Sequence, residues 1–140
     1  MKKKILFSGI LTTLLISGGA YYQTNNTTIQ NQSYDSVIYV PSDRFPESAQ
    51  HILDAQKAGK SKICTIDRKD IVEHRKESLR GIKTKVGYDR DEVPFAMCSE
   101  GGEGADVRLI HSEDNRGSGS WISHQVSDLP DGARVLIKVK

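Results

Sequence analysis

The longest apolar run in the chain comes first. Lys2, Lys3 and Lys4 precede a mainly apolar run from Ile5 to Ile16, and then the residues turn small at Ser17, Gly18, Gly19 and Ala20. That order, positive then hydrophobic then small, is the order of a secretory signal. The run is about 12 residues, short of the roughly 20 that span a bilayer as a helix. Cleavage after Ala20 is the expectation; the alternative is an uncleaved membrane anchor using Ile5 to Tyr22. Residues 21 to 34, "YYQTNNTTIQNQSY", are rich in Gln, Asn and Thr with almost no charge. They read as a disordered linker. The folded domain is expected over residues 35 to 140.

Within that domain, short apolar stretches alternate with segments of helical spacing. "SVIYVP" (36 to 41) is a β-branched and aromatic run closed by proline, which predicts a strand. In "SDRFPESAQHILDAQKAGK" the residues Phe45, Ala49, Ile52 and Leu53 recur near helical spacing, and Gly59 is placed to end the helix. His51 has no acidic or histidine partner four residues on, so its expected role is surface or core packing. "SKICTID" (61 to 67) predicts a second strand, and "RKDIVEHRKESLRG" (68 to 81) a charged helix ending at Gly81. His74 on that helix is expected at the surface. An extended segment follows near 88 to 98, then a glycine-rich turn at 99 to 104 and a strand at 105 to 111. Glycines and serines at 114 to 119 predict a loop leading to a helix over about 120 to 128. "LPDGA" is a turn and "RVLIKV" a last strand. The fold class is α+β, one small domain without repeats.

Charge divides this domain. The whole chain has 20 Lys+Arg and 18 Asp+Glu, a net of +2. Without residues 1 to 20 the balance is 17 to 18, so bulk charge makes no case for nucleic-acid binding. Its distribution does more. Lys57 to Arg90 holds 11 basic and 5 acidic residues, whereas Asp91 to Asp131 holds 2 basic and 9 acidic. A basic half followed by an acidic half suits a protein that grips a polyanion with one surface and a cation with another. Two solvated faces of opposite sign would give the same count. Cys64 and Cys98 are the only cysteines; with an export signal they predict one disulfide closing about 35 residues. Neither has a nearby histidine, which excludes a zinc site of the usual spacing.

The densest charge stands in "DRDEVP" (89 to 94), three carboxylates and an arginine in an otherwise extended segment. Strands avoid Asp, and adjacent like charges repel. Such a cluster is either a solvated turn or a holder of something positive. Two strands, a glycine-rich turn and a helix make a β-β-α unit in which a hairpin and a helix converge on one cation. Asp89, Asp91 and Glu92 offer hard oxygen donors, and Asn115, His124 and Gln125 are polar candidates from the loop and helix. Oxygens with one imidazole suit Mg²⁺, Mn²⁺ or Ca²⁺.

"DRDEVPFAMCSEGGEGADV", "DNRGSGSW" and "LPDGARVLIKV" resemble the NucA/NucB-type extracellular deoxyribonucleases of Gram-positive bacteria. So do "IYVPSDRFPESAQHILDAQKAG" and "CTIDR" upstream, and the likeness runs in order over about residues 35 to 140. Val93 departs from it, since many members carry tryptophan there. The resemblance implies a small secreted nuclease with a variant of the β-β-α metal finger, in which "DRDE" stands where a histidine usually activates the water. Asp91 is then the expected base and Glu92 a metal ligand, directly or through water; Asn115, His124 and Gln125 are the candidates for the further metal ligands, with Asn115 alternatively fixing the loop. Arg116 or Arg90 is expected to stabilise the transition state. Arg75, Lys76, Arg80, Lys83, Lys85 and Arg90 would bind DNA through its phosphates. The cofactor implied is one Mg²⁺ or Mn²⁺, or Ca²⁺, and the protein a monomer. His111 and Trp121 keep plainer readings, a strand end facing solvent and a core anchor. Two alternatives stay open: a non-catalytic secreted module that holds Ca²⁺ and binds a polyanion, and an anchored nuclease that nicks DNA for uptake.

Overall fold

A computed structural model of the chain describes residues 33–140. The expected signal or anchor, and most of the expected linker, lie outside the described residues. Among the described residues, no helix is long and apolar enough to cross a membrane.

The β-branched runs become strands: β1 (Ser36–Val40), β2 (Ile63–Thr65) and β5 (Arg134–Val139). They make one sheet with β5 in the centre, parallel to β1 and antiparallel to β2. Ile38, Val40, Val135 and Ile137 turn inward from it and are almost fully buried. Helix α1 (Pro46–Lys57) covers them with Ala49, Ile52 and Ala55. Pro46 at its first turn has the φ a helix start requires and no N–H to satisfy.

The second sheet is a hairpin of β3 (Tyr88–Val93) and β4 (Asp106–His111), in which Asp91 stands opposite Arg108 and Val93 opposite Asp106. Helix α2 (Ile71–Ser78) precedes it and α3 (Ser112–Val126) follows it directly. In chain order the two strands of the hairpin are followed by a helix. The connection from 94 to 105 is tied down at several points. Cys98 is bonded to Cys64, both buried, with their Cα atoms 4.9 Å apart. Glu100 accepts from the Thr65 backbone N–H at 2.8 Å and from its hydroxyl at 2.7 Å. Gly101 packs so closely on the Phe95 carbonyl that a Cβ would collide with it.

The expected loop at 114 to 119 is not a loop. Those residues are helical turns of α3, which begins at Ser112 rather than near 120. Tertiary contacts outweigh the weak helix propensity of Gly and Ser. Asp114 accepts from the Glu47 and Ser48 backbone N–H groups, both at 3.0 Å, and from the Ser48 hydroxyl at 2.6 Å. It thus caps α1 from another helix, a role that Phe45 at the N-cap position cannot fill. The Ser118 hydroxyl donates to Ser48 at 2.9 Å, and Gly117 lies against the Phe45 ring.

Candidate active site

Asp91 and Glu92 are only 9% and 7% exposed, in a class of residue seldom buried without a partner. β3 sends their side chains to opposite faces of the hairpin, and each finds different company. Asp91 shares its face with Asp106 and Arg108 of β4, toward α1. There its Oδ2 meets His51 Nδ1 at 2.7 Å. The other ring nitrogen, Nε2, meets Asp106 Oδ1 at 2.8 Å. His51 is fully buried, so a carboxylate faces each nitrogen of a ring that water does not reach. An imidazole donates at both nitrogens only when both carry protons.

Glu92 turns toward α2. The Ser78 hydroxyl donates to its Oε1 at 3.3 Å, and Arg75 Nε lies 3.5 Å away. Burial pushes the Glu92 carboxyl above its usual range; the Arg75 guanidinium opposes this and the Asp91 carboxylate adds to it. Both acids nonetheless line one cavity of about 420 Å³, whose wall also includes Arg75, Asn115, Ser118 and Gly119. The rest of the lining is largely apolar, with Ile71, Phe95, Met97 and Ile122, so the two acids, Arg75 and Asn115 form a polar cluster within it that can take a phosphate and a divalent cation together.

The donors there are oxygens: two carboxylates and the Asn115 amide. Among the described residues, no group of three or more His, Cys, Asp or Glu is placed to enclose a metal ion. Mg²⁺-type ions keep several waters and take one or two carboxylates, with substrate phosphates completing the shell. The donor set fits an ion of that kind.

The deoxyribonuclease NucA/NucB family model matches residues 49–138, a span that contains His51, Asp91, Glu92 and Asn115. The chain is also 49% identical over 122 residues to a DNA-entry nuclease of Bacillus subtilis (strain 168), covering 87% of this chain and 83% of the relative. The chain belongs to the NucA/NucB deoxyribonuclease family.

In this member of the family, Asn115 comes to the cavity because α3 starts early and carries it in on its first turns. His124 and Gln125, expected beside it as ligands, do not arrive. They sit in the last turn of α3, and both are exposed. Gln125 faces β1, where its Oε1 accepts from the Tyr39 N–H and its Nε2 donates to the Tyr39 carbonyl, both at 3.1 Å. The reason is helical rise: about two and a half turns separate them from Asn115. Arg116 is exposed and turned to Asp89, with Nε donating to Oδ2 at 2.8 Å. That bond holds the Asp89 carboxyl below its usual range, with help from Ser112. Arg90 donates to the Ile82 carbonyl at 2.9 Å and borders a neighbouring groove with Arg75 and Leu79. Arg75, Lys76, Arg80, Lys83 and Lys85 are all exposed, on α2 and the segment after it.

His51 is the residue that reading along the chain missed. Its partners are 40 and 55 positions away, so no local spacing announces them. A histidine on the buried face of α1, beside Ala49, Ile52 and Ala55, was the available signal. His74 is half-buried and bonds the Ala96 carbonyl at 3.0 Å. His111 is exposed, its Nδ1 meeting Glu47 Oε1 at 2.5 Å. Trp121 packs against the core and donates to the Tyr39 carbonyl at 2.8 Å, an anchor as expected.

Proposed function

We propose that this protein is a secreted, divalent-metal-dependent endonuclease that hydrolyses DNA phosphodiester bonds without sequence preference. The observation that carries the reading is the pair Asp91 and Glu92, both buried at adjacent positions of β3 and both lining one cavity with Arg75 and Asn115. Family membership and the name of the Bacillus subtilis relative support it.

Glu92 and Asn115 are the residues that would hold a Mg²⁺ or Mn²⁺ ion. Such an ion, when bound, would neutralise charge on the phosphate and on the leaving oxygen. Asp91 orients the attacking water and takes its proton, a role in which placement within hydrogen-bond reach of the water comes first. Arg75, at the cavity wall, adds positive charge where the pentavalent phosphate gathers negative charge. It takes over the role foreseen for Arg116, which is engaged with Asp89. The exposed cations of α2 and the following segment hold the DNA backbone by its phosphates, which makes binding indifferent to sequence.

The test is plasmid DNA incubated with the oxidised domain and Mg²⁺ or Mn²⁺, with and without chelator. Cleavage that chelator stops is expected, and Asp91→Asn should abolish it in a protein that stays folded. No cleavage with any divalent metal would sink the enzyme reading. The relative's name also favours a second reading of location, a nuclease retained at the cell surface to nick DNA for entry. The intact mass of the membrane-bound and released forms separates the two: retention of residues 1 to 20 on membranes means an anchor.

A further inference from the structure

We propose that His51 is a positioning residue for Asp91, with Asp106 in turn orienting His51. The inference rests on the reading of Asp91 as the group that handles the water. Three elements converge to build the arrangement: α1 brings His51, β3 brings Asp91 and β4 brings Asp106. Asp91 and Asp106 share one face of the hairpin because Asp106 pairs with Val93, two residues beyond Asp91.

His51 is 0% exposed, and its helical neighbours Ala49, Ile52 and Ala55 are apolar. For packing alone, a leucine would fill this place without the cost of burying a polar ring. The geometry gives the ring something else to do. Asp91 Oδ2 is committed to Nδ1 at 2.7 Å, a short, charge-assisted contact that fixes the carboxylate's rotamer. Among the described residues, Asp91 Oδ1 accepts no hydrogen bond, and Asp91 is one of the residues that line the cavity. The Asp106 contact at 2.8 Å stops the ring from turning about its own bond to Cβ. A general base needs this restraint, because a displacement of about 1 Å at a reacting atom can cost on the order of 100-fold in rate.

Two neutral replacements divide the contacts between them. Asparagine places an amide N–H near the position of Nδ1 and keeps the bond to Asp91. Glutamine reaches toward the position of Nε2 and keeps the bond to Asp106. Steady-state cleavage of DNA is measured for His51→Asn, His51→Gln and Asp106→Asn, at a temperature where thermal unfolding shows each to be folded. The expected kcat loss is about 100-fold in His51→Gln and about 10-fold or less in His51→Asn, with KM for DNA within about threefold of wild type. Rescue by Asn over Gln is the signature that a packing role would not produce. Asp106→Asn, at a half-exposed site, keeps the fold and should lose several-fold in kcat alone, which decides the matter should both His51 variants unfold. A kcat in His51→Gln, or in the absence of folded His51 variants a kcat in Asp106→Asn, equal to wild type would overturn the proposal. So would equal losses in Asn and Gln, or losses confined to KM. If Asp91→Asn is dead and His51→Gln is fully active, only this inference fails. If the wild-type protein does not cleave DNA, the catalytic reading fails and this inference falls with it.

Discussion

Burial and function pull Glu92 in opposite directions. A carboxylate out of water costs stability, and Arg75, though it outweighs the repulsion from the neighbouring Asp91, does not offset the burial. Its carboxyl is held above the ordinary 4.5, so the unfolded chain gives up that proton more readily than the folded one. The associated stability is therefore complete below about pH 4.5 and lost as pH rises through the folded value. Glu92→Gln removes the charge while leaving an acceptor for Ser78. In chelator at neutral pH, this variant should melt roughly 2–6 °C above wild type, and the two curves should converge below pH 4.5. With metal and DNA present, it should lose on the order of 100-fold or more in kcat. A variant less stable than wild type at neutral pH would show that Arg75 and Ser78 outweigh the burial cost. His51 is the same problem answered differently, a buried polar group satisfied at both ends.

At the scale of elements, α3 decides the geometry of the site, and two of its glycines make opposite predictions. A Cβ on Gly117 would stand 2.7 Å from the Phe45 ring, whereas one on Gly119 would meet nothing within 4 Å. Gly117→Ala should cost about 1–3 kcal/mol through overpacking, despite alanine's better helix propensity. Gly119→Ala should gain about 0.5–1 kcal/mol, because it restricts only the unfolded chain. Equilibrium denaturation of the two variants checks both signs. The contrast also explains what the sequence could reveal. β1, β2, β4, β5 and α1 follow from alternation, helical spacing and terminating Pro or Gly, all local signals. "DNRGSGS" has the local chemistry of a loop, and what makes it helical lies elsewhere: the α1 terminus that Asp114 caps, and the Phe45 ring that needs the space at Gly117. The same limit applies to the site. Asp91 and Glu92 stood out as charges where strands avoid them, but His51 and Asp106 gain meaning only when α1 is laid on the hairpin. Once α3 begins at Ser112, Asn115 reaches the cavity and His124 and Gln125 pass beyond it.

Across the whole molecule, the basic half and the acidic half of the sequence meet at the cavity through Arg75 and Glu92. If the exposed cations of α2 and the segment after it hold DNA, each contact releases counterions, and the logarithm of the dissociation constant rises with the logarithm of salt by about 0.9 per phosphate neutralised. The cations are not equivalent. Lys76 has Glu73 at 3.1 Å, so part of its charge is already answered within the helix. Lys85 is held over the Tyr88 ring, 3.8 Å from its centre, and would reach a phosphate with less entropy to lose. Lys83 is exposed, on the same segment. Lys83→Gln and Lys85→Gln should each lower the salt slope by about 0.9, and Lys76→Gln by less. DNA binding titrated from low to high salt in chelator, where cleavage is expected to stop, reads these slopes. If the lysines touch phosphates and not base edges, the losses should be the same on DNA of any sequence. A loss that depended on sequence would move these lysines from backbone grip to base reading, and a slope unchanged in all three variants would place the DNA on another face.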